Sequence, residues 1–275
     1  MTTQAEKAEG FRALHRREDP FIIPNPWDAG SARLLAALGF EALATTSSGF
    51  AYSLGRADGE VTLEETLDHC RVLCAATDLP VSADLENGYA DDPVTAAKAI
   101  TLAGNAGVAG GSIEDYSGND SQSIYDFGLA VERVTAAVEA ARALPYAFTL
   151  TARAENLLHG RDDLDDTIRR LQAFEAAGAD VLYAPGLTTL DQVRAVTDAV
   201  KKPVNVLATM LKGVTLEQLA DAGAQRISIG GALACAALAP VLGAAAEMLD
   251  EGSFGWTSER ASSAKVEELF AKFDP

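Results

Sequence analysis

A single parallel (β/α)8 barrel is the fold this sequence predicts, on three observations. Short β-rich runs recur about every 25 to 40 residues, eight in all. Segments with apolar residues at i, i+3, i+4 and i+7 lie between them, and glycines close helices just before the next strand. The 275 residues fit one such barrel, so residues 1–275 are read as one domain.

The strand runs are FIIPNP from Phe21, EALATTS from Glu41, PVSADLE from Pro80, AGGSIED from Ala109, YAFTLTARAE from Tyr146, DVLYAPG from Asp180, PVNVLA from Pro203 and RISIGG from Arg226. The helical pattern is clearest in SARLLAALG, TLEETLDHCRVLCAA, LAVERVTAAVEAARAL, DDTIRRLQAFEAAGA and TLEQLADAGA. Thr62 with Glu65 has the spacing of a capping box, Thr215 opens the helix from Leu216, and Gly39, Gly107, Gly178 and Gly223 stand at helix ends. An open doubly wound sheet has fewer strands and a Gly-rich first turn, so closure into a barrel is favoured. After the eighth strand, residues 232–275 supply an Ala-rich segment and a charged helix, more than one barrel needs, and a subunit interface is expected there. The first ten residues and the tail are expected outside the globular part.

A net charge of -18 leaves no basic cluster to neutralise phosphates, which excludes nucleic acid and disfavours an anionic membrane. The opening MTTQAEKAEG has no apolar core of a signal segment, and no uninterrupted apolar run of about 18 residues follows, so a cytoplasmic location is expected. Cys70 and Cys74, four apart on a helical pattern, read as buried thiols rather than a disulfide or zinc framework. An acidic protein still binds a small acid where a metal or a local arginine reverses the potential.

Chemistry in such a barrel sits at the C-terminal ends of the strands. In the third run Val81, Ala83 and Leu85 alternate with Ser82, Asp84 and Glu86, which places both acids on the face turned to the barrel interior. Ser112 and Glu114 do the same in the fourth run, and Thr149, Thr151, Arg153 and Glu155 in the fifth. Four carboxylates and one arginine thus converge on the mouth. Like charges about 4 Å apart repel by on the order of 4 kcal/mol at an effective dielectric of about 20, so a cation is implied. All-oxygen donors favour Mg²⁺, with Mn²⁺ or Ca²⁺ as substitutes, over Zn²⁺. The competing reading is an Arg153-centred salt-bridge network that only plugs the barrel. His15, His69 and His159 show no metal-ligand spacing, and Lys212 is the single weak candidate for a Schiff base. The glycines ending at Gly231 suit either a phosphate cradle or close strand–helix packing.

The fragments PNPWDAGSARLLAALGFEAL, TTSSGFAYSLGRADGE, SADLENGYADDP, GGSIED, TARAEN and PVNVLA, in this order, resemble the isocitrate lyase and phosphoenolpyruvate mutase superfamily from about Pro24 to Gly231. The resemblance implies a barrel whose last helix is exchanged between subunits, usually in a dimer of dimers. It implies Mg²⁺ held by Asp84, with Asp58, Glu86 and Glu114 around it mostly through water. Ser48 and Gly49, with Phe50 beside them, match donors that grip a substrate's oxygen and carboxylate; Arg153 matches the arginine for an anionic substrate group, and Asn205 an amide contact.

The reaction so implied is carbon–carbon cleavage or decarboxylation of a small 2-oxo or 2-hydroxy dicarboxylate, of the oxaloacetate, isocitrate or methylisocitrate type, through a metal-bound enolate. Arg153, Glu114, Ser48 and Tyr52 are its expected catalytic residues. Two departures from the pattern stand out. Glu86 replaces the more common Asp, and the stretch after Glu114, DYSGNDSQSIYDF, lacks the Lys, Cys and His of the lyase loop. Asn119 alone echoes the mutase version of that loop, Tyr116, Asp120 and Ser121 have no assigned role, and Tyr52, Tyr89 and Glu155 are candidate proton donors. Decarboxylation asks less of an external base than isocitrate cleavage does, so the missing Cys favours it. Phosphonate mutation or hydrolysis, and a barrel that binds a 2-oxo acid without turnover, are the alternatives.

Overall fold

The computed structural model describes residues 2–119 and 123–273. In chain order the elements are α1 (Gln4–Leu14), β1 (Phe21–Ile23), α2 (Ala29–Ala37), β2 (Leu43–Ala44), α3 (Ser47–Ser53), α4 (Leu63–Ala76), β3 (Val81–Asp84), α5 (Pro93–Asn105), β4 (Gly110–Glu114), α6 (Phe127–Arg142), β5 (Thr149–Arg153), α7 (Leu164–Ala177), β6 (Val181–Tyr183), α8 (Leu190–Ala199), β7 (Val204–Leu207), α9 (Leu216–Asp221), β8 (Arg226–Ser228), α10 (Ala232–Asp250) and α11 (Ser263–Phe270). All eight strands are parallel, in the order β1-β8-β7-β6-β5-β4-β3-β2. The Ala44 N–H donates to the Pro24 carbonyl at 3.0 Å, which brings β2 back to β1 and all but closes the barrel. Outward strand residues such as Val81, Ala83, Leu150, Ala152 and Val206 are buried beneath the helices, and the inward set is polar, with Ser82, Ser112, Thr151, Asn205 and Ser228.

The N-terminus departs from the expectation. Residues 4–14 form α1, opened by a Thr3/Glu6 capping box, and it plugs the N-terminal end of the barrel. Ala8 and Phe11 are fully buried against Phe21, Ile23 and Ala109. Gly110 makes room for this plug, since a Cβ there would lie 3.0 Å from the Phe11 ring and 2.5 Å from the Thr149 carbonyl. Behind the plug His15 packs edge-on against Phe11 and Phe21, its Nδ1 2.8 Å from the Phe11 carbonyl. That bond makes Nδ1 the donor and leaves Nε2 as an acceptor.

Burial, and then the charge of Arg226, push the His15 pKa down to about 3. The unfolded chain therefore takes up a proton below about pH 6.5 that the native state refuses, and stability falls as pH falls through that window. Between pH 7 and pH 4 the wild type should lose about 3 kcal/mol more than His15→Gln in urea titrations. Equal losses would show that His15 titrates normally.

α10 is long and apolar enough to cross a membrane by length and composition. The expectation of no such segment does not hold here: residues 227–246 carry no charged side chain, and Gly230, Gly231, Pro240 and Gly243 are what make the run look broken. In the single chain it touches α3 and the 3-10 turn Gly255–Ser258, while Leu242 and Leu249 are 71% and 86% exposed.

The third strand ends earlier than its alternation suggests. It stops at Asp84, and Glu86 and Tyr89 adopt left-handed backbone, with φ of 48° and 59°. Glu86 is thus carried by a turn, not by the strand face. Gly88 in the same turn has φ 74°, and an added Cβ would lie 2.8–3.0 Å from Ala96 backbone atoms. Gly88→Ala should destabilise the fold by about 2–5 kcal/mol, from left-handed strain plus overpacking, as a lowered urea midpoint. An unchanged midpoint would refute the packing argument.

Candidate active site

Asp84 stands at the end of β3 with both carboxylate oxygens engaged. Oδ1 accepts from Arg153 Nη1 at 2.8 Å and Oδ2 from the Ser47 N–H at 3.2 Å, while its own N–H donates to Thr45 Oγ1 at 2.7 Å. Arg153, at the end of β5, also pairs through Nη2 with Glu114 at 3.0 Å and through Nε with Glu155 at 2.7 Å. Its guanidinium lies 5.2 Å from the centre of the Tyr183 ring. One half-buried cation therefore serves three carboxylates.

The acids carry the strain of this arrangement. Burial, reinforced by Asp84, pushes Glu86 up to about 7, against a hydrogen bond from the Tyr89 hydroxyl at 3.1 Å. Burial and Asp84 also raise Asp58 at the rim, with the Ser47 side chain opposing. Burial holds Glu114 well above the usual carboxylate range despite Arg153, and raises Glu155 likewise. Charge on these groups is thus under-compensated by protein, as a cation site requires. Among the described residues no three His, Cys, Asp or Glu side chains gather closely enough to hold an ion by themselves. Oxygen donors that do not form a cage fit a hard ion that keeps water or substrate oxygens, which is the habit of Mg²⁺.

Two cavities meet at these residues. One, of about 200 Å³, descends into the barrel from Ser47, Ser48 and Asp84 to Asn205 and Arg226. The other, of about 660 Å³, runs along Asp58, Glu86, Glu114, Glu155 and His159. Arg153, Ser47, Asp58 and Leu158 line both.

The mouth is fixed from behind by two buried arginines that sequence reasoning missed. Arg133 of α6 donates to the carbonyls of Asn87, Ala90 and Asp91, holding the left-handed turn that carries Glu86. Arg170 of α7 pairs with Asp115 at 2.9 Å and Asp166 at 2.8 Å, and Asp115 accepts the Glu155 N–H at 2.8 Å. Both arginines lie on helical stretches that read as ordinary amphipathic surface, so periodicity gave no signal for them.

The remaining predicted residues fall in different places. Ser48 lines the inner cavity, its hydroxyl 3.2 Å from Thr46 Oγ1. Gly231 is glycine because a Cβ there would sit 2.3 Å from the Ser48 hydroxyl, which favours close packing for that glycine run. The Gly49 N–H is taken by the Thr46 N-cap at 3.3 Å, because SSGFAYS forms α3. Phe50 and Tyr52 line neither cavity. Helical spacing turns Phe50 outward to stack on His69 at 3.9 Å, and Tyr52 is 40% exposed, so both depart from the expected substrate and catalytic roles. The Asn205 amide is bonded to Arg226 Nε at 2.8 Å and to Ser228 Oγ at 2.9 Å, leaving one N–H for anything else. Tyr89 is half-buried, its hydroxyl between Thr66 and Glu86. Ser47 and Thr45, unpredicted, are the direct supports of Asp84. Tyr116 stacks on His159 at 3.6 Å; Asp120 and Ser121 lie outside the described residues.

The family model for phosphoenolpyruvate phosphomutase matches residues 11–249. The chain belongs to that family, within the isocitrate lyase and phosphoenolpyruvate mutase superfamily. Its resemblance to a crystal structure from Burkholderia cenocepacia J2315, provisionally named a lyase/mutase, is 56% identity over 98% of this chain and 96% of that one, with a TM-score of 0.95. An oxaloacetate decarboxylase of Paraburkholderia xenovorans LB400 is 33% identical over 74% of this chain and 68% of its own. A 2-methylisocitrate lyase of Escherichia coli K12 is 31% identical over 71% and 68%. Superfamily membership makes the chain an enzyme of the lyase and mutase type.

Proposed function

We propose that the chain is a Mg²⁺-dependent carbon–carbon lyase for a small 2-oxo dicarboxylate, with decarboxylation of oxaloacetate as the first reaction to test. The observation that carries this reading is the cluster of Asp84, Asp58, Glu86 and Glu114 around one guanidinium that already serves Asp84, Glu114 and Glu155. Asp84 would hold the ion, with Asp58, Glu86 and Glu114 behind ordered water. Bound Mg²⁺ supplies positive charge at the oxo acid's oxygens, where the breaking bond delivers its electron pair.

The chain's own residues do the positioning. Ser47 and Thr45 aim Asp84, and the Ser48 hydroxyl offers a donor on the inner cavity wall. Release of Asp84 from Arg153 Nη1 frees a donor for the substrate's distal carboxylate, which charge-assisted bonding then orients. The relatives named decarboxylase and methylisocitrate lyase support the substrate class, and the Cys-free stretch after Glu114 favours loss of CO₂. We assign the exposed apolar side of α10 to a neighbouring subunit in a homo-oligomer.

The test is a panel of oxaloacetate, 2-methylisocitrate, isocitrate and phosphonopyruvate, followed by NMR with Mg²⁺ and again with chelator. Mg²⁺-dependent pyruvate formation from oxaloacetate is the expected result. Metal-independent turnover, binding without turnover, or reaction of phosphonopyruvate alone would each overturn the proposal.

A further inference from the structure

A second charged cavity, of about 710 Å³, lies at the opposite end of the barrel. It is lined by Arg12, Arg16, Arg17, Arg142, Lys201 and Lys202, contributed by the α1 end, the α6 end and the turn after α8. Six of the chain's 22 lysines and arginines thus converge on one basin of a protein whose net charge is -18. A random share of so acidic a surface would be negative, so the basin reverses the local potential.

Few of these charges are neutralised. Asp180 is the one carboxylate among the lining residues, and Arg142 already holds it at 2.7 Å. Arg17 pairs with Glu41, and Arg12 only reaches 4.0 Å from Glu9. Arg16, Lys201 and Lys202 make no ion pair among the described residues.

The floor of the basin is formed by the start of β5 and the end of the α1 segment. Thr149, at the start of β5, lines the basin at 2% exposure, and its hydroxyl has no hydrogen-bond partner. The Thr151 hydroxyl, next on the inward face of β5, shares this feature, and both oxygens are shut inside the barrel. His15 also lines the floor, and Arg226, 3.5 Å behind its Nε2, belongs to the inner cavity of the mouth and not to the basin. Four residues along β5, ~13 Å at about 3.3 Å per residue, separate Thr149 from Arg153. The proposed reaction uses none of the basin.

From the basin's unpaired cations, the reversal of charge they create and its size, we infer that the N-terminal face of the barrel binds a small molecule through a diphosphate group. Arginine forks and lysine ammonium groups together match several phosphate oxygens, and three unpaired cations exceed what one carboxylate needs. No Phe, Tyr or Trp lines the basin, so a nucleoside base has no stacking platform and the diphosphate carries recognition.

The experiment is isothermal titration of the full chain with pyrophosphate, and separately with ADP, in chelator so that the acidic mouth binds no metal-borne anion. One pyrophosphate per chain is expected, with ADP no tighter. The Lys201→Ala/Lys202→Ala double variant and Arg16→Ala, all exposed positions, should each bind at least about tenfold more weakly, while Asp84→Ala binds as wild type. Absence of binding at several times physiological phosphate levels would overturn the inference. So would binding lost in Asp84→Ala but kept in the lysine variant, or ADP binding about tenfold or more above pyrophosphate.

Discussion

Asp84→Ala should lower kcat/KM for oxaloacetate at saturating Mg²⁺ by at least about 10³-fold, an effect of about 4 kcal/mol on the transition state. The size follows from position. Asp84 joins three things: the Arg153 guanidinium, the start of α3 through the Ser47 N–H, and the space shared with Asp58 and Glu86. Removing its charge weakens cation binding and also leaves Arg153 free to collapse onto Glu114 and Glu155. Asp84→Asn separates these effects, because the amide keeps the shape and an oxygen for Ser47 but loses the charge. If charge is what matters, the Asn variant should be nearly as inactive as Ala and should need far more Mg²⁺ for any residual rate. Activity within about tenfold of wild type in either variant, measured with thermal unfolding as a folding control, would remove Asp84 from the centre of the site.

The barrel was legible because its signals are local and repeated. Strand runs from Phe21 to Arg226, the Thr62/Glu65 capping pair, the helix start at Thr215 and the polar inward face of β5 each followed from short-range pattern, and the structure has all of them. The Arg153-centred cluster was legible for the same reason: a charged residue on an inward strand position has nowhere to go but the mouth. What stayed hidden depends on contacts far apart in sequence. α1 carries a capping box at Thr3 and Glu6, but its apolar stripe is only Ala8 and Phe11, too thin to reveal a plug that Gly110 and Ala109 create. The turn at Glu86 is set by Arg133, 47 positions away, so alternation along the third strand ran one step too far. Phe50 and Tyr52 were placed by the resemblance and not by any local pattern, and the helix that the Thr46 cap starts turns both away from the two cavities. The basic basin was invisible in composition, since overall charge conceals a local reversal of sign.

Arg153→Met should destabilise the metal-free protein by about 3–5 kcal/mol, because it leaves buried carboxylates without their cation while keeping much of the side chain's volume. The loss should depend on pH in a definite direction. Glu114 and Glu155 already titrate above their ordinary range because burial opposes their charge, and without Arg153 they would bind protons more readily still. A carboxylate whose folded pKa is raised favours the folded state as pH falls below that pKa, so the deficit in the variant should shrink from pH 8 to pH 5. Mg²⁺ offers a second discrimination. If the mouth is a cation site, millimolar Mg²⁺ at pH 8 should stabilise Arg153→Met more than wild type, since the same oxygens then face no competing guanidinium. A salt-bridge plug with no affinity for metal gives the same pH trend without any Mg²⁺ response, so urea titrations with Mg²⁺ and with chelator decide between the two. A deficit below about 1 kcal/mol at pH 8 would mean that water already reaches the carboxylates and that Arg153 is not their principal counter-charge.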